Sequence, residues 1–142
     1  MVIALAADHG GFQLKEALKG WLTTHGYDVQ DFGAHQFDEA DDYPDFGKPA
    51  AQFVAQDPTE RRAILLCKSG QGMAMVANKV SGVRAIVVAN PAEFTFDESP
   101  NVVSFAAATI SLDDVQQVLT NWFAFNPNSL ADRHARRIAK LE

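Results

Sequence analysis

The chain has 142 residues, 47% of them hydrophobic and 21% charged, a composition that predicts one folded domain spanning residues 1–142. The formal net charge of −6 argues against a nucleic-acid partner, and no apolar run approaches the roughly 20 residues of a membrane span. The single cysteine excludes an internal disulfide and, since no Lys or Arg precedes the first apolar run as in a signal peptide, we expect a cytoplasmic location.

Apolar strand-like runs and amphipathic helices alternate along the first half of the chain. "VIALAA" predicts a strand buried on both faces, and apolar residues at helical spacing from Phe12 to His25 predict a helix that Gly26 ends. "YDVQDFG" alternates as a second strand does. A helix from Lys48 to Gln56 and a third, very apolar strand, "RRAILLC", follow.

The same alternation continues in the second half. The predicted elements are a helix in "MAMVANKVSG", a strand in "VRAIVVAN", a loop with one helical turn from 91 to 100, a strand in "NVVSFAAATI", and helices at 112–123 and 130–141. Alternating strands and helices form βαβ units with right-handed crossovers. We therefore predict an α/β fold, a Rossmann-like three-layer sandwich with a five-stranded parallel sheet.

Polar residues follow the predicted strands at the points where the strands end. Asp8 and His9 follow the first strand, and Cys67 and Ser69 mark the end of the third. Ligands of open parallel sheets bind outside the carboxyl ends of the strands, so these side chains are candidate site residues. The plainer interpretation of "DHGG" is a helix cap and a turn.

The segment "CKSGQG" has the strongest chemical character. Its glycines allow backbone N–H groups to approach a ligand, and a cysteine at a helix start is stabilised as a thiolate. Such a place suits a phosphate, a carboxylate or a developing enolate oxygen. Alternatively, Cys67 is a small buried hydrophobic residue followed by a turn.

Two further segments have both a functional and a plain interpretation. In "DRHARRIAK", Arg133 and Arg137 lie one helical turn apart and could form an anion site, or they could complement the dipole of a solvated helix. "DDYP" could line a pocket or simply start a helix. The spacing of His and Cys resembles no zinc site, and no dinucleotide fingerprint appears, so we expect neither a metal nor an organic cofactor.

Taken in order, "AADHGGFQLKEAL", "DYP", "CKSGQGMAMVANKVSGVRA", "NVVSF" and "RHARRI" resemble the ribose-5-phosphate isomerase B and galactose-6-phosphate isomerase family. The resemblance runs nearly end to end and is most specific from Cys67 to Arg84. It implies an aldose–ketose isomerase for phosphorylated sugars. It also implies a homodimer or dimer of dimers with sites shared between subunits, and no metal or organic cofactor.

The resemblance further implies a role for each matching residue. Cys67 moves the proton between C1 and C2 through a cis-enediolate, while Ser69 and the loop amides hold the enediolate oxygens. Arg133 and Arg137 grip the phosphate from the neighbouring subunit. The other implied substrate-binding or supporting residues are Asp8, His9, Asp42, Tyr43, Gly70, Gln71, Gly72 and Asn78.

Three positions depart from the family pattern. Asp97 stands where the family has the histidine that opens the sugar ring, next to Glu98 in place of an asparagine that touches substrate. Lys68 replaces a glycine after the cysteine, where it could reach an acidic substrate group or block close approach. Ala108 replaces an arginine that binds phosphate.

These departures leave two interpretations. We expect an isomerase whose substrate is not ribose 5-phosphate, with a sugar that is already open-chain or of different length, and with Asp97 or Glu98 as the candidate acid–base group. The alternative is a non-catalytic phosphosugar-binding protein or a partner subunit of an isomerase built from two unlike chains.

Overall fold

The computed structural model describes residues 1–141, except for the side chain of Glu93. Within that range five strands and five helices follow one another. The strands are β1 (Val2–Ala7), β2 (Asp28–Gly33), β3 (Arg61–Cys67), β4 (Ala85–Val88) and β5 (Val102–Ala106). The helices are α1 (Phe12–Thr24), α2 (Pro44–Gln56), α3 (Gln71–Ala77), α4 (Leu112–Ala124) and α5 (Asp132–Ile138). Short 3₁₀ turns lie at Pro91–Glu93 and Pro127–Ser129.

The bounds of α2 and α3 differ from the predicted ones for local reasons. Helix α2 begins at Pro44, earlier than predicted, because proline at the first helical position is already set for the helix and Asp45 favours the first turn. Helix α3 ends at Ala77, because the Asn78 side chain exchanges two 2.8 Å hydrogen bonds with the backbone of Ala85. These bonds hold the start of β4 against the end of the helix.

The five strands form one parallel sheet in the order β2-β1-β3-β5-β4, which confirms the predicted fold class. Helices α1 and α4 cover one face around Leu18, Leu22 and Trp122, and α2 and α3 cover the other around Ala50, Val54 and Met73. Among residues 1–141, each helix is too short or too polar to serve as a membrane span.

The order of the strands determines where a ligand crevice opens. The chain leaves β1 toward β2 on one side, and it leaves β3 toward β4 and β5 on the other. A crevice forms at the carboxyl ends of two strands whose connections depart in opposite directions. In this sheet that point lies between the ends of β1 and β3, where "DHGG" and "CKSGQG" follow.

A buried ion-pair cluster joins α1 to β2. The Lys15 side chain is fully buried, and its Nζ lies 2.9 Å from Asp31 and 2.6 Å from Glu16. Lys19 lies 2.7 Å from the same Asp31 carboxylate. Burial raises the pKa of Asp31, but hydrogen bonds from Lys19, the Gly33 N–H and Lys15 outweigh it and lower the pKa to about 2.

We expect Asp31→Asn to lower the free energy of unfolding by about 3 kcal/mol, because it leaves the buried Lys15 ammonium with one carboxylate fewer. Lys19→Met is the matched control and costs under about 1 kcal/mol, because Lys19 is exposed. The pKa of Asp31 is lowered by folding, so its contribution is complete above about pH 4 and disappears as the pH falls toward 2. Urea unfolding of both variants between pH 2 and pH 7 measures the free energy of unfolding. Equal losses of that free energy in Asp31→Asn and Lys19→Met would contradict the prediction.

Candidate functional site

Cys67 ends β3 and forms the centre of the site. Cys67 is 5% exposed, and its Sγ accepts a 3.1 Å hydrogen bond from the Gly70 N–H. The buried Ser104 hydroxyl donates to the Gly70 carbonyl at 2.6 Å and so anchors the residue whose N–H faces the sulfur.

The loop after β3 has its shape because residue 70 is glycine. Gly70 has φ +72°, a conformation that other residues rarely adopt. A Cβ at this position would lie 3.0 Å from the backbone carbon of Phe105. The loop therefore rests directly on the end of β5.

The remaining residues of "KSGQG" form an exposed rim. Lys68, Ser69 and Gln71 are exposed, and the Ser69 hydroxyl accepts a 3.3 Å hydrogen bond from the Gln71 N–H. A Cβ on Gly72 would lie 2.8 Å from the Tyr43 ring, so that ring covers the start of α3. Tyr43 and the rim are thus in contact, as their predicted shared site requires.

The turn after β1 lies against the end of β3. A Cβ on Gly10 would lie 2.9 Å from the Lys68 nitrogen, and one on Gly11 would lie 2.6 Å from the Leu66 oxygen. Asp8 is buried, and its Oδ1 accepts a 2.9 Å hydrogen bond from the Gly10 N–H. Burial raises the pKa of Asp8 despite that hydrogen bond and the nearby His9. The structure thus brings Asp8 and His9 beside the cysteine loop.

His9 has a partner that the sequence does not reveal. Its backbone N–H and its ring Nδ1 both lie at hydrogen-bond distance from Asp41 Oδ1, at 3.0 and 2.6 Å. The hydrogen bond that the protonated ring donates to Asp41 is the main cause of the raised pKa of His9, which Asp8, Asp41 and Glu39 raise further through their charges. The neighbouring Asp42, which the sequence suggested, is exposed.

Asp8, His9 and Asp41 each offer one potential metal-ligand atom, and these atoms lie within 4.8 Å of one another. Two atoms bound to one tetrahedral zinc ion at about 2.0–2.1 Å are roughly 3.4 Å apart. The 2.6 Å between His9 Nδ1 and Asp41 Oδ1 is instead a hydrogen-bond distance. The arrangement fits a hydrogen-bonded pair better than a metal centre.

Asp97 and Glu98 lie at the opposite end of the sheet from Cys67 within one chain. The carbonyl of Ser99 accepts from Arg84 Nε at 2.9 Å, and that of Pro100 accepts from Arg62 at 3.3 Å. Arg62 is the second residue of β3, and five residues of strand at about 3.3 Å each separate it from Cys67 by roughly 16 Å.

Helix α5 lies near Glu98 rather than near Cys67. His134 is its buried residue, and His134 Nδ1 lies 3.8 Å from Glu98 Oε1. Arg133 donates through Nε to His134 Nε2 at 3.2 Å, while Arg137 is exposed. The predicted site residues therefore form two groups: one around Cys67, and one that contains Asp97, Glu98, Arg133 and Arg137.

A cavity of about 740 Å³ lies on the side of the second group. Its walls are residues 78–86, Glu98 and Leu141, so it opens at the amino-terminal end of β4 and away from Cys67. Asn78 borders this cavity, and its amide is bonded to the Ala85 backbone. Asn78 thus supports the α3–β4 connection from outside the cysteine loop.

Sequence reasoning missed two residues of the first group. Ser104 had a detectable signal, because it is a lone hydroxyl in an apolar strand and a buried hydroxyl needs a partner. Asp41 had no detectable signal in the sequence, because the residue that it contacts, His9, lies 32 positions away. Acidic residues in a loop normally interact with solvent.

Comparison with known proteins agrees with this geometry. The chain matches the family described as Ribose/Galactose Isomerase over residues 3–141. It is 32% identical to the probable ribose-5-phosphate isomerase B of Mycoplasma genitalium over 142 residues, covering 98% of this chain and 92% of that protein. It is 29% identical to D-erythrulose-4-phosphate isomerase 2 of Mycolicibacterium smegmatis over 147 residues, covering 99% and 96%.

Solved structures give the same relationship. Ribose-5-phosphate isomerase B of Mycoplasma genitalium with bound ribulose-5-phosphate has a TM-score of 0.89 at 31% identity, covering 99% of this chain and 93% of that chain. The Clostridium thermocellum ribose-5-phosphate isomerase B has a TM-score of 0.88 at 34% identity, covering 99% and 95%. The resemblance of the sequence motifs is thereby confirmed: this chain belongs to the ribose/galactose isomerase family.

Proposed function

We propose that this protein is an aldose–ketose isomerase that acts on a phosphorylated sugar. The observation that carries the proposal is the Cys67 sulfur at the carboxyl end of β3, held by the Gly70 N–H beside the turn that contains Asp8 and His9. Relatives of the chain that are named as sugar-phosphate isomerases support the same reaction class.

Cys67 acts as the base in the proposed reaction. Its thiolate removes the proton from C2 of the open-chain aldose, which leaves an enediolate. The thiol then returns a proton to C1 while the proton on O2 passes to O1, which gives the ketose. The Gly70 N–H, hydrogen-bonded to Sγ at 3.1 Å, holds the sulfur in place through both steps. The Ser69 hydroxyl, exposed on the rim, donates to an enediolate oxygen and reduces the charge that develops there.

The surrounding residues bind the sugar. Burial raises the pKa of Asp8, so its carboxyl group is suited to share a proton with a sugar hydroxyl. Tyr43 and Asp42 line the side of the pocket formed by the loop after β2. Lys68, exposed on the rim, contributes a cation. The Ala108 N–H donates a 3.1 Å hydrogen bond to the Lys68 carbonyl, which places Lys68 beside the position where the resemblance implies a phosphate-binding arginine.

A second copy of the chain completes the site in this proposal. Residues 1–141 place Glu98, Arg133 and Arg137 in a group apart from Cys67, and α5 buries mainly His134 while its arginines face outward. A seven-residue helix is marginal without packing partners. A homodimer, or a dimer of dimers, would bring the arginines of one chain to the phosphate bound near Cys67 of the other.

The substrate that we propose needs no ring opening, because the motif resemblance implies that Asp97 stands at the position of the family's ring-opening histidine. A four-carbon aldose 4-phosphate meets this condition, since its fourth oxygen is esterified and cannot close a five-membered ring. The similarity to a D-erythrulose-4-phosphate isomerase supports this sugar length. For a cyclic substrate, Asp97 or Glu98 of the second chain is the candidate acid–base group.

Exchange in deuterated water tests the proposed function. The purified protein is incubated with four-, five- and six-carbon aldose phosphates, and we expect deuterium at C2 of the recovered aldose and at C1 of the ketose. We expect kcat/KM for the four-carbon substrate to exceed that for ribose 5-phosphate by at least about tenfold. Binding of these sugars without exchange would instead favour the non-catalytic phosphosugar-binding protein, which the replacement at Asp97 also suggests.

A further inference from the structure

The His9–Asp41 pair has the geometry of an oriented imidazole. The Asp41 side chain is 9% exposed and the His9 side chain 39% exposed, so the carboxylate is largely shielded from solvent while the ring remains partly accessible. Asp41 Oδ1 binds both the backbone N–H and Nδ1 of His9, which fixes the ring relative to its own main chain. The second ring nitrogen, Nε2, is left to face a ligand.

The charges around the pair favour a cationic ring. Asp41 Oδ2 is buried and has no hydrogen-bond partner within residues 1–141, so His9 is the group that can compensate this carboxylate. Asp8 in the same turn and Glu39 in the loop after β2 add negative charge, and the exposed Lys68 after β3 is the cation on the neighbouring segment. Phe37 packs edge-on against the ring from the outer side.

We propose that Asp41 is a positioning residue that holds His9 as a fixed cation, so that Nε2–H donates to the phosphate of the substrate. This inference rests on the proposed function for the identity of the anion. A buried carboxylate on one nitrogen sets the proton on the other and restricts the ring to one orientation. The resemblance implies a phosphate-binding arginine at position 108, where this chain has Ala108. The His9 cation therefore contributes more to anion binding here than it would beside that arginine.

The direction of the pH dependence follows from the raised pKa of His9. A raised pKa keeps the ring protonated to higher pH, so anion binding is complete at low pH and is lost as the pH rises through that pKa. Without the Asp41 charge, anion binding is lost at a lower pH. Sulfate is a suitable probe, because its own charge is constant over the whole range whereas phosphate titrates.

The first measurement needs no enzyme activity. The four histidines are followed by NMR from pH 5 to 9, with His9 assigned by its loss in His9→Gln, and sulfate binding is measured in parallel. We expect Asp41→Asn to lower the pKa of His9 and to weaken sulfate binding about tenfold near pH 7.5. Asp45→Asn, an exposed residue at the start of α2, removes the same charge and serves as the matched control.

A double-mutant cycle separates positioning from a general effect on the fold. In the His9→Gln background, Asp41→Asn has no further effect on sulfate affinity if it acts through the ring. The proposal is wrong if His9 has the same pKa in wild type and Asp41→Asn, or if the loss of affinity is equal in both backgrounds.

Steady-state kinetics then connects the pair to the reaction. With the sugar phosphate that reacts, Asp41→Asn should raise KM about tenfold and change kcat by less than about threefold, because phosphate contacts act on binding. A fall in kcat at constant KM would overturn the binding role. If wild type isomerises no sugar phosphate but the NMR and sulfate results hold, the proposed reaction fails and the anion site stands.

Discussion

Replacing Cys67 with Ser should lower kcat for the isomerisation by about 10²–10⁴-fold, the range in which a positioned acid–base group contributes. Serine is close in shape to cysteine and can accept the hydrogen bond from the Gly70 N–H, so the loop after β3 keeps its conformation. Its hydroxyl is far harder to ionise than a thiol. KM for the sugar phosphate should change by less than about threefold.

Deuterium at C2 of the recovered aldose gives the most direct measurement, because it reports proton removal even when the ketose does not accumulate. The thermal unfolding midpoint of Cys67→Ser should stay within a few degrees of wild type. A Cys67→Ser protein that exchanges the C2 proton at the wild-type rate would show that another group is the base.

Mixing two inactive variants should restore activity if the site is shared between chains. One variant carries Cys67→Ser, and the other carries Arg133→Ala with Arg137→Ala. Random pairing makes half of the dimers mixed, and each mixed dimer has one intact site of two, so we expect about a quarter of wild-type activity. The physical reason is that the arginines on α5 lie beside Glu98, away from the sulfur of their own chain.

The matched control mixes Cys67→Ser with His9→Gln. Both residues lie in the group around the cysteine loop, so every site in a mixed dimer keeps one defect and kcat/KM of the mixture does not exceed the average of the two unmixed variants. Tagged chains show by co-purification that mixed dimers form. If the mixed dimers of Cys67→Ser with the double arginine variant stay inactive, the site is not shared. Cys67 and the arginines would then serve the site of one chain, or the arginines would lie outside the site.

The sheet was predictable because each strand has its own apolar run. "RRAILLC" matches β3 at both ends, since strands buried on both faces are apolar without interruption. Residues after such strands could be assigned to one edge from topology alone, which predicted that Asp8, His9 and Cys67 would lie together. Helix α5 was predicted at 130–141 and spans Asp132–Ile138, because short helices depend on packing that a local pattern does not show.

The partner of His9 was not predictable from the sequence. Four acidic residues occur in the "DEADDYPD" segment before Tyr43, and only the folded loop determines that the Asp41 side chain is 9% exposed whereas Asp42 is exposed. The separation of Asp97 and Glu98 from Cys67 likewise depends on where the 91–100 loop runs. It returns to the amino-terminal end of the sheet, where Arg84 and Arg62 bind its last carbonyls.

In the proposed reaction, the residues that select the sugar come from the loop between β2 and α2, and those that transfer the proton come from another segment. Asp41, Asp42 and Tyr43 all come from that loop, whereas the sulfur and the amide that faces it belong to the β3 exit, anchored from β5 by Ser104. Insertions and substitutions in a surface loop are tolerated better than changes in a buried strand end. If the proposed reaction holds, sugar preference can therefore change through this one segment while the residues proposed for proton transfer stay the same.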